Sequence, residues 1–187
     1  MLLKPTEQPQ DDRWFWLTLA ALAAIYAASL LLAGCATRAA INGIPNFGTV
    51  EPGIYRGGQP EAWAWGYLRA LGVSNVVKLN LESEGSDTGA KACGMRVAYV
   101  PISTRQQLLG PMQYQVWIAS TNICPGTFIH CTHGRNRTGT VIGAWRVWHC
   151  GWTKAQARAE MGRYGWGDSL PGLKWFWREK VRCYERR

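Results

Sequence analysis

Acidic residues are scarce in this chain. Twelve aspartates and glutamates stand against 21 lysines and arginines, which leaves a formal charge of +9 over 187 residues. Such a balance favours anionic partners: phosphates, acidic lipid surfaces or nucleic acid. No internal repeat is present, which excludes a stacked-repeat architecture. No Cys-x2-Cys pair is present either, which removes the commonest zinc framework. Apolar content is ordinary at 47%, which excludes wholesale disorder.

A charge-free stretch, WFWLTLAALAAIYAASLLLA, runs from Trp14 to Ala33. At about 1.5 Å per residue a helix of that length spans roughly 30 Å, the hydrocarbon thickness of a bilayer. It is too apolar for an element of a small soluble domain and reads as a membrane anchor or an export signal. Leu32-Ala33-Gly34-Cys35 resembles the lipobox of bacterial lipoproteins, which implies cleavage before Cys35 and lipidation of its thiol. Ala36 after it resembles the outer-membrane sorting pattern of that class. For an uncleaved anchor, Lys4 and Arg13 ahead of the run place the rest of the chain outside the cytoplasm, facing the periplasm. Residues 1–35 hold Lys4 and Arg13 against Glu7, Asp11 and Asp12, a balance of −1, so the remaining chain carries +10. The expected organisation is an anchor or signal over 1–35, a linker over 36–46, and one globular domain over 47–187.

Within that domain apolar strands alternate with helical stretches. GIYRGGQP (53–60) reads as a short strand and a turn, with Pro60 opening a helix to about Leu71. SNVVKLNL (74–81) reads as a buried strand, ESEGSDTG as a loop, and RVAYVPI (96–102) as a strand broken by Pro101. A helix is expected from Met112 to Ile123, a strand over 126–131, a helix over about 138–150, one capped by Thr153, and one after Pro171. This order predicts an α/β fold: a single domain with a mostly parallel central sheet flanked by helices, preceded by the hydrophobic N-terminal helix. Ligands of such sheets bind at the carboxyl ends of the strands, and His130-Cys131 lies at one such end.

The loop after that strand, HCTHGRNRTG, has the makings of an anion site. Backbone N–H groups in a tight turn before a helix point inward, and the helix start adds partial positive charge. Arg137 offers a planar fork to two phosphate oxygens. The same field favours a thiolate at Cys131, a nucleophile aimed at phosphorus. Thr138 places a hydroxyl beside the sulfur, and Gly134 and Gly139 allow close backbone approach. A zinc site from His130, Cys131 and His133, with His149 and Cys150, is the metal alternative. Adjacent ligands on one tight turn suit tetrahedral geometry poorly, so neither metal nor cofactor is expected.

HCTHGRNRTG resembles the Cys-x5-Arg-Ser/Thr signature of the protein tyrosine and dual-specificity phosphatases, above all its compact atypical members. NFGTVEPGIYRGGQP, LRALGVSNVVKLN and GMRVAYVPI are similar to the opening strand, helix and sheet of that group, so the likeness covers about Pro45 to Trp177. It implies that Cys131 forms a cysteinyl-phosphate, that Arg137 binds phosphate and stabilises the transition state, and that Thr132, His133, Gly134, Arg135, Asn136 and Thr138 complete the cradle. His130 is expected to orient the loop. Arg135 resembles the basic loop residues of members acting on inositol phosphates or phosphoinositides. The partners implied are a phosphorylated protein or a polyanionic small molecule or lipid, together with the membrane, and no nucleic acid.

One departure stands out. Members of this group usually carry an aspartate general acid about thirty residues before the cysteine, yet residues 101–126 contain no acid. The nearest carboxylates are Glu82, Glu84 and Asp87, in a loop at the same edge of the sheet, and Asp87 is the candidate catalytic acid. Without one, the chain is a phosphatase for easily departing leaving groups or a phosphate-binding module that lacks catalysis. A rhodanese-type sulfur transferase is disfavoured by the Arg137-Thr138-Gly139 continuation. If Cys35 is acylated and Cys131 catalytic, Cys93, Cys124, Cys150 and Cys183 remain for disulfides, in any of three pairings.

Overall fold

A five-stranded sheet in the spatial order β1-β2-β5-β3-β4 carries the fold. The strands are β1 (Gly48–Glu51), β2 (Ile54–Gly57), β3 (Asn75–Lys78), β4 (Arg96–Tyr99) and β5 (Thr127–His130). Only the β1–β2 hairpin is antiparallel; β2–β5, β5–β3 and β3–β4 are parallel. Among the described residues of the same unit they are accompanied by the α-helices α1 (Ala64–Ala70), α2 (Thr88–Ala92), α3 (Thr104–Leu109), α4 (Gln113–Thr121), α5 (Asn136–His149), α6 (Lys154–Arg163) and α7 (Pro171–Glu179) and by a 3-10 turn, Glu82–Glu84. The computed structural model describes residues 16–18, 40–167 and 169–182. Chain packing separates Met1–Ala36 from Thr37–Arg187, and the sheet belongs to the second unit. Cys35 and most of the apolar run lie outside the described residues. Among those described, no helix is long and apolar enough to cross a membrane.

The period-2 alternation of side chains explains why the central strands are apolar throughout. On β3, Val76 points into a cluster with Trp65, Leu68, Ala90 and Met95, which belongs to the α1–α2 face. Its neighbour Val77 points the other way, into a cluster with Met112, Val116, Ile142 and Phe176. Phe128 and Ile129 divide in the same manner on β5, and all four strand residues are at most 1% exposed. Each such side chain stabilises the fold by about 1.5–3 kcal/mol.

Strand register then places the site. Gly57, His130 and Lys78 form one row across β2, β5 and β3. The residues that follow each of them therefore leave the sheet level with one another, at its carboxyl edge.

Several expectations are adjusted. The span from Pro60 to Leu71 is helical only over Ala64–Ala70, and α5 starts two residues early, which brings Asn136 and Arg137 into its first turn. Helices α2 and α3 and strand β1 were not read as elements. With five, six and four residues, none is long enough to show a hydrophobic period. Ser103 caps α3 as Thr153 caps α6, each accepting from the N–H three residues on at 3.3 Å. Within the stretch expected to be a linker, Ile41 and Ile44 form a β-bridge, and Ile44 and Asn46 are buried. Cys93, Cys124, Cys131 and Cys150 are free thiols.

Candidate active site

Cys131 follows the last residue of β5 and is 3% exposed. The loop from Cys131 to Arg135 is held from outside by its carbonyls. Gln59 N–H donates to the Thr132 carbonyl at 3.0 Å. The Asn46 amide donates to His133 at 2.9 Å, and the Arg56 guanidinium donates to Gly134 at 2.9 Å. In a planar trans peptide the C=O and the next N–H point in opposite directions. Three anchored carbonyls therefore turn the N–H groups of His133, Gly134 and Arg135 to the other side, which makes an anion nest. Gly134 adopts φ +68°, and a Cβ on it would stand 2.5 Å from the Gly58 nitrogen. Only glycine fits there.

Arg56 is fully buried and lies 3.8 Å from the Tyr164 ring centroid, so a positive charge backs the loop from beneath. Asn46, Arg56 and Gln59 were not singled out in the sequence. Their only trace was the stretch NFGTVEPGIYRGGQP, and nothing in its spacing announces a loop 73 to 87 residues away.

At the end of the loop, α5 directs its N-terminus at the nest. Arg137 lies in its first turn and is 5% exposed. Its Nη1 and Nη2 donate to the two Glu84 oxygens at 2.7 and 2.8 Å, and Nη2 also reaches Thr132 Oγ1 at 2.9 Å. Burial works against the charged guanidinium. The bonds and charge of Glu84 and the charge of Cys131 more than offset this, so its pKa rises. Thr138 is fully buried, and its hydroxyl has no hydrogen-bond partner among the described residues, which leaves it for a substrate oxygen or the thiolate. Asn136 accepts from Gly167 N–H at 3.3 Å and Arg135 donates to the Gly165 carbonyl at 3.2 Å, so both also tie the loop to the turn after α6.

A cavity of about 270 Å³ sits at this loop, lined by Gln107, Cys131, His133, Arg135, Asn136, Arg137 and Ser169. A second one, about 370 Å³, lies between β3, β4 and the end of α4 and includes none of these residues.

The structure places Asp87 away from that cavity and corrects its expected role. Its carboxylate is 2% exposed and meets His130 Nε2 at 3.0 Å, Gln59 Nε2 at 3.0 Å and Lys78 Nζ at 3.6 Å. Burial alone would raise its pKa. The hydrogen bond and charge of His130, then Gln59 and Lys78, reverse this and hold it below the usual carboxylate range. A buried, ionised carboxylate beneath the loop cannot lend a proton to a substrate above it. Asp87 and His130 instead fasten the 82–87 turn to the end of β5; the His130 ring, expected to orient the cysteine loop, is bonded to Asp87 through Nε2. That ring also stacks on Phe128 at 5.3 Å. With His130 engaged by Asp87 and His149 beside Ser120 and Trp117, the histidines of the zinc alternative belong to separate surroundings. No group of potential metal ligands occurs among the described residues.

Glu84 is the carboxylate that does reach the cysteine loop. The Arg137 hydrogen bonds take its pKa from an ordinary 4.5 to about 2, against a smaller opposing effect of burial and with help from Leu81 N–H. A depressed carboxylate contributes stability above its unfolded pKa and loses it as pH falls through the folded one. The difference in melting temperature between wild type and Glu84→Gln should therefore be constant above about pH 5 and vanish as pH falls from 4.5 toward 2. A pH-independent difference over that range would contradict the pairing.

A buried thiol under an anion nest, a helix N-terminus and a forked guanidinium six residues on define a cysteine-dependent phosphatase. Comparison with known proteins agrees. The profile of the tyrosine phosphatase family matches residues 43–169, and the chain belongs to that family. It is 30% identical to the dual specificity protein phosphatase TpbA of Pseudomonas aeruginosa over 66% of this chain and 56% of that protein. It is 27% identical to the inositol diphosphatase DSP5 of Arabidopsis thaliana over 54% of this chain and 53% of that one. The chain thus spans little more than half the length of either. The crystal structure of P. aeruginosa TpbA superposes with a TM-score of 0.56 at 26% identity, covering 76% of this chain and 88% of that one.

Proposed function

We propose that this protein hydrolyses anionic phosphate compounds whose leaving group departs with little protonation, such as aryl phosphates and phosphoanhydrides. The observation that carries this is that no carboxylic acid occurs among the described residues lining the cavity; Asp168, next to Ser169, lies outside the described residues. Asp87 is buried beneath the loop and Glu84 is held ionised by Arg137. The stretch where the family usually keeps its acid forms α3 and α4 and contributes Gln107 instead.

The Cys131 thiolate attacks phosphorus and forms an S–P bond as the P–O bond to the leaving group breaks. The leaving oxygen keeps the electron pair and takes its proton from water. Nest N–H groups and Arg137 hold the three equatorial oxygens, where charge is concentrated in the transition state. Water then attacks the cysteinyl-phosphate, releasing inorganic phosphate and the thiolate. Arg135 and His133 at the cavity favour a substrate with more than one negative group. Inositol diphosphates, the class named for DSP5, and phosphotyrosine on a protein both meet this chemistry.

The test is turnover of the full chain on a series of aryl phosphates of graded leaving-group pKa, with Cys131→Ser alongside. General-acid help is worth about 10²–10⁴-fold, so kcat/KM should fall steeply as the leaving group becomes more basic. A flat series would show that a general acid operates. No release from any substrate, with phosphate still bound, would make the chain a binding module.

A further inference from the structure

Between Asp87 and Glu160 the chain contains no acidic residue. That stretch includes α3, where Arg105, Leu108 and Leu109 share one exposed face at i, i+3 and i+4. Leu109 is 72% exposed and Leu108 44%. The end of α3 meets the start of α7 at two glycines. A Cβ on Gly172 would stand 2.5 Å from the Gly110 nitrogen, and a Cβ on Gly110 would stand 3.3 Å from the Trp175 ring. This close approach puts Trp175, itself 43% exposed, against Gly110, the residue after Leu109. Lys180 Nζ lies 5.2 Å from the Trp175 centroid. Lys174 and Arg178 are exposed one turn apart on the same helix, where Glu179 is the single acid.

Isolated surface leucines need no explanation, but this group is contiguous and surrounded by cations. Leucine and tryptophan side chains with a lysine beside the ring and further cations around them are the composition of a surface that sits among lipid headgroups. These side chains project from helices, and none of them lines the Cys131 cavity. That arrangement suits insertion at an interface better than the grip of a groove on a peptide.

We propose that the α3–α7 face docks onto an anionic phospholipid bilayer. Leu108, Leu109 and Trp175 enter the headgroup layer while Arg105, Lys174, Arg178 and Lys180 pair with lipid phosphates. Gln107 of α3 and Ser169 just before α7 both line the Cys131 cavity, so docking sets its rim beside the headgroups. The proposal is independent of the leaving-group reading, because it concerns attachment and not turnover.

The test uses the full chain in nanodiscs of phosphatidylcholine alone or mixed with phosphatidylglycerol, read by amide hydrogen exchange. The apolar run from Trp14 to Ala33 is present in both preparations, so the comparison isolates lipid charge. Peptides from α3 and α7 should exchange more slowly on the anionic discs only. Each cation removed weakens such a contact by about fivefold, so Lys174→Gln with Lys180→Gln weakens it roughly 30-fold and abolishes the slowing. Leu109→Asn with Trp175→Ser should abolish it as well, with unchanged turnover of a soluble aryl phosphate showing that the variants fold. Equal exchange on both discs would overturn the proposal. Slowing that ignores lipid charge and persists in the lysine variant would also overturn it, by assigning the face to a protein segment.

Discussion

Replacing Arg137 with lysine is expected to lower kcat by about 10²–10³-fold, the loss typical of one transition-state donor. Lysine keeps the charge but not the fork. In the structure Nη1 and Nη2 bind Glu84 at 2.7 and 2.8 Å and also donate to the Ile102 carbonyl and Thr132 Oγ1, which fixes the guanidinium plane relative to the loop. An ammonium holds neither Glu84 bidentately nor two phosphate oxygens in a set geometry. Steady-state kinetics on a good aryl phosphate, with kcat and KM resolved, provide the check. Because Glu84 acts through Arg137, Glu84→Gln should cost less by itself and add little in the Arg137→Lys background. A lysine variant within tenfold of wild type would show that the charge alone suffices, and the account of the fork would be wrong.

Lys78→Met is expected to destabilise the fold by about 3–5 kcal/mol, the cost of breaking a buried ion pair from one side. The Lys78 side chain is 0% exposed, lies 3.1 Å from Glu82 and 3.6 Å from Asp87, and donates to the Gly85 carbonyl. With total stabilities of roughly 5–15 kcal/mol, urea unfolding should register the loss clearly. Asp87→Asn separates positioning from proton donation at the same network. It should destabilise the protein as well, while the dependence of kcat/KM on leaving-group pKa keeps the wild-type slope. A steeper slope in Asp87→Asn would restore Asp87 as the general acid.

The network beneath the loop also shows where sequence reading reaches its limit. The two valines of β3 and the Phe128-Ile129 pair of β5 were recognisable as buried strands, because a continuous apolar run serves both faces of a covered sheet. Helix α6 was legible from the Thr153 cap. Helices α2 and α3 were not, since neither is long enough for a period to emerge. Glu82, Glu84 and Asp87 were recognised as three carboxylates at the right edge of the sheet, but not what each one does there. Asp87 is turned inward to His130 and Glu84 outward to Arg137. That division depends on Lys78 and Gln59, which stand on two different strand ends.

By itself the sequence determined the nucleophile loop and its helix, because Cys131, Gly134, Arg137 and Thr138 fall within eight consecutive residues between an apolar strand and a helix, so their pattern is readable locally. It also determined the α/β class, through the alternation of apolar strands with helical segments. The tertiary structure alone decided what holds the loop open and which carboxylate serves it. Asn46 reaches His133 across 87 residues, Arg56 reaches Gly134 across 78, and Glu84 reaches Arg137 across 53. Contacts at such separations arise only when parallel strands bring their carboxyl ends level, and no local pattern encodes which side chains will meet there.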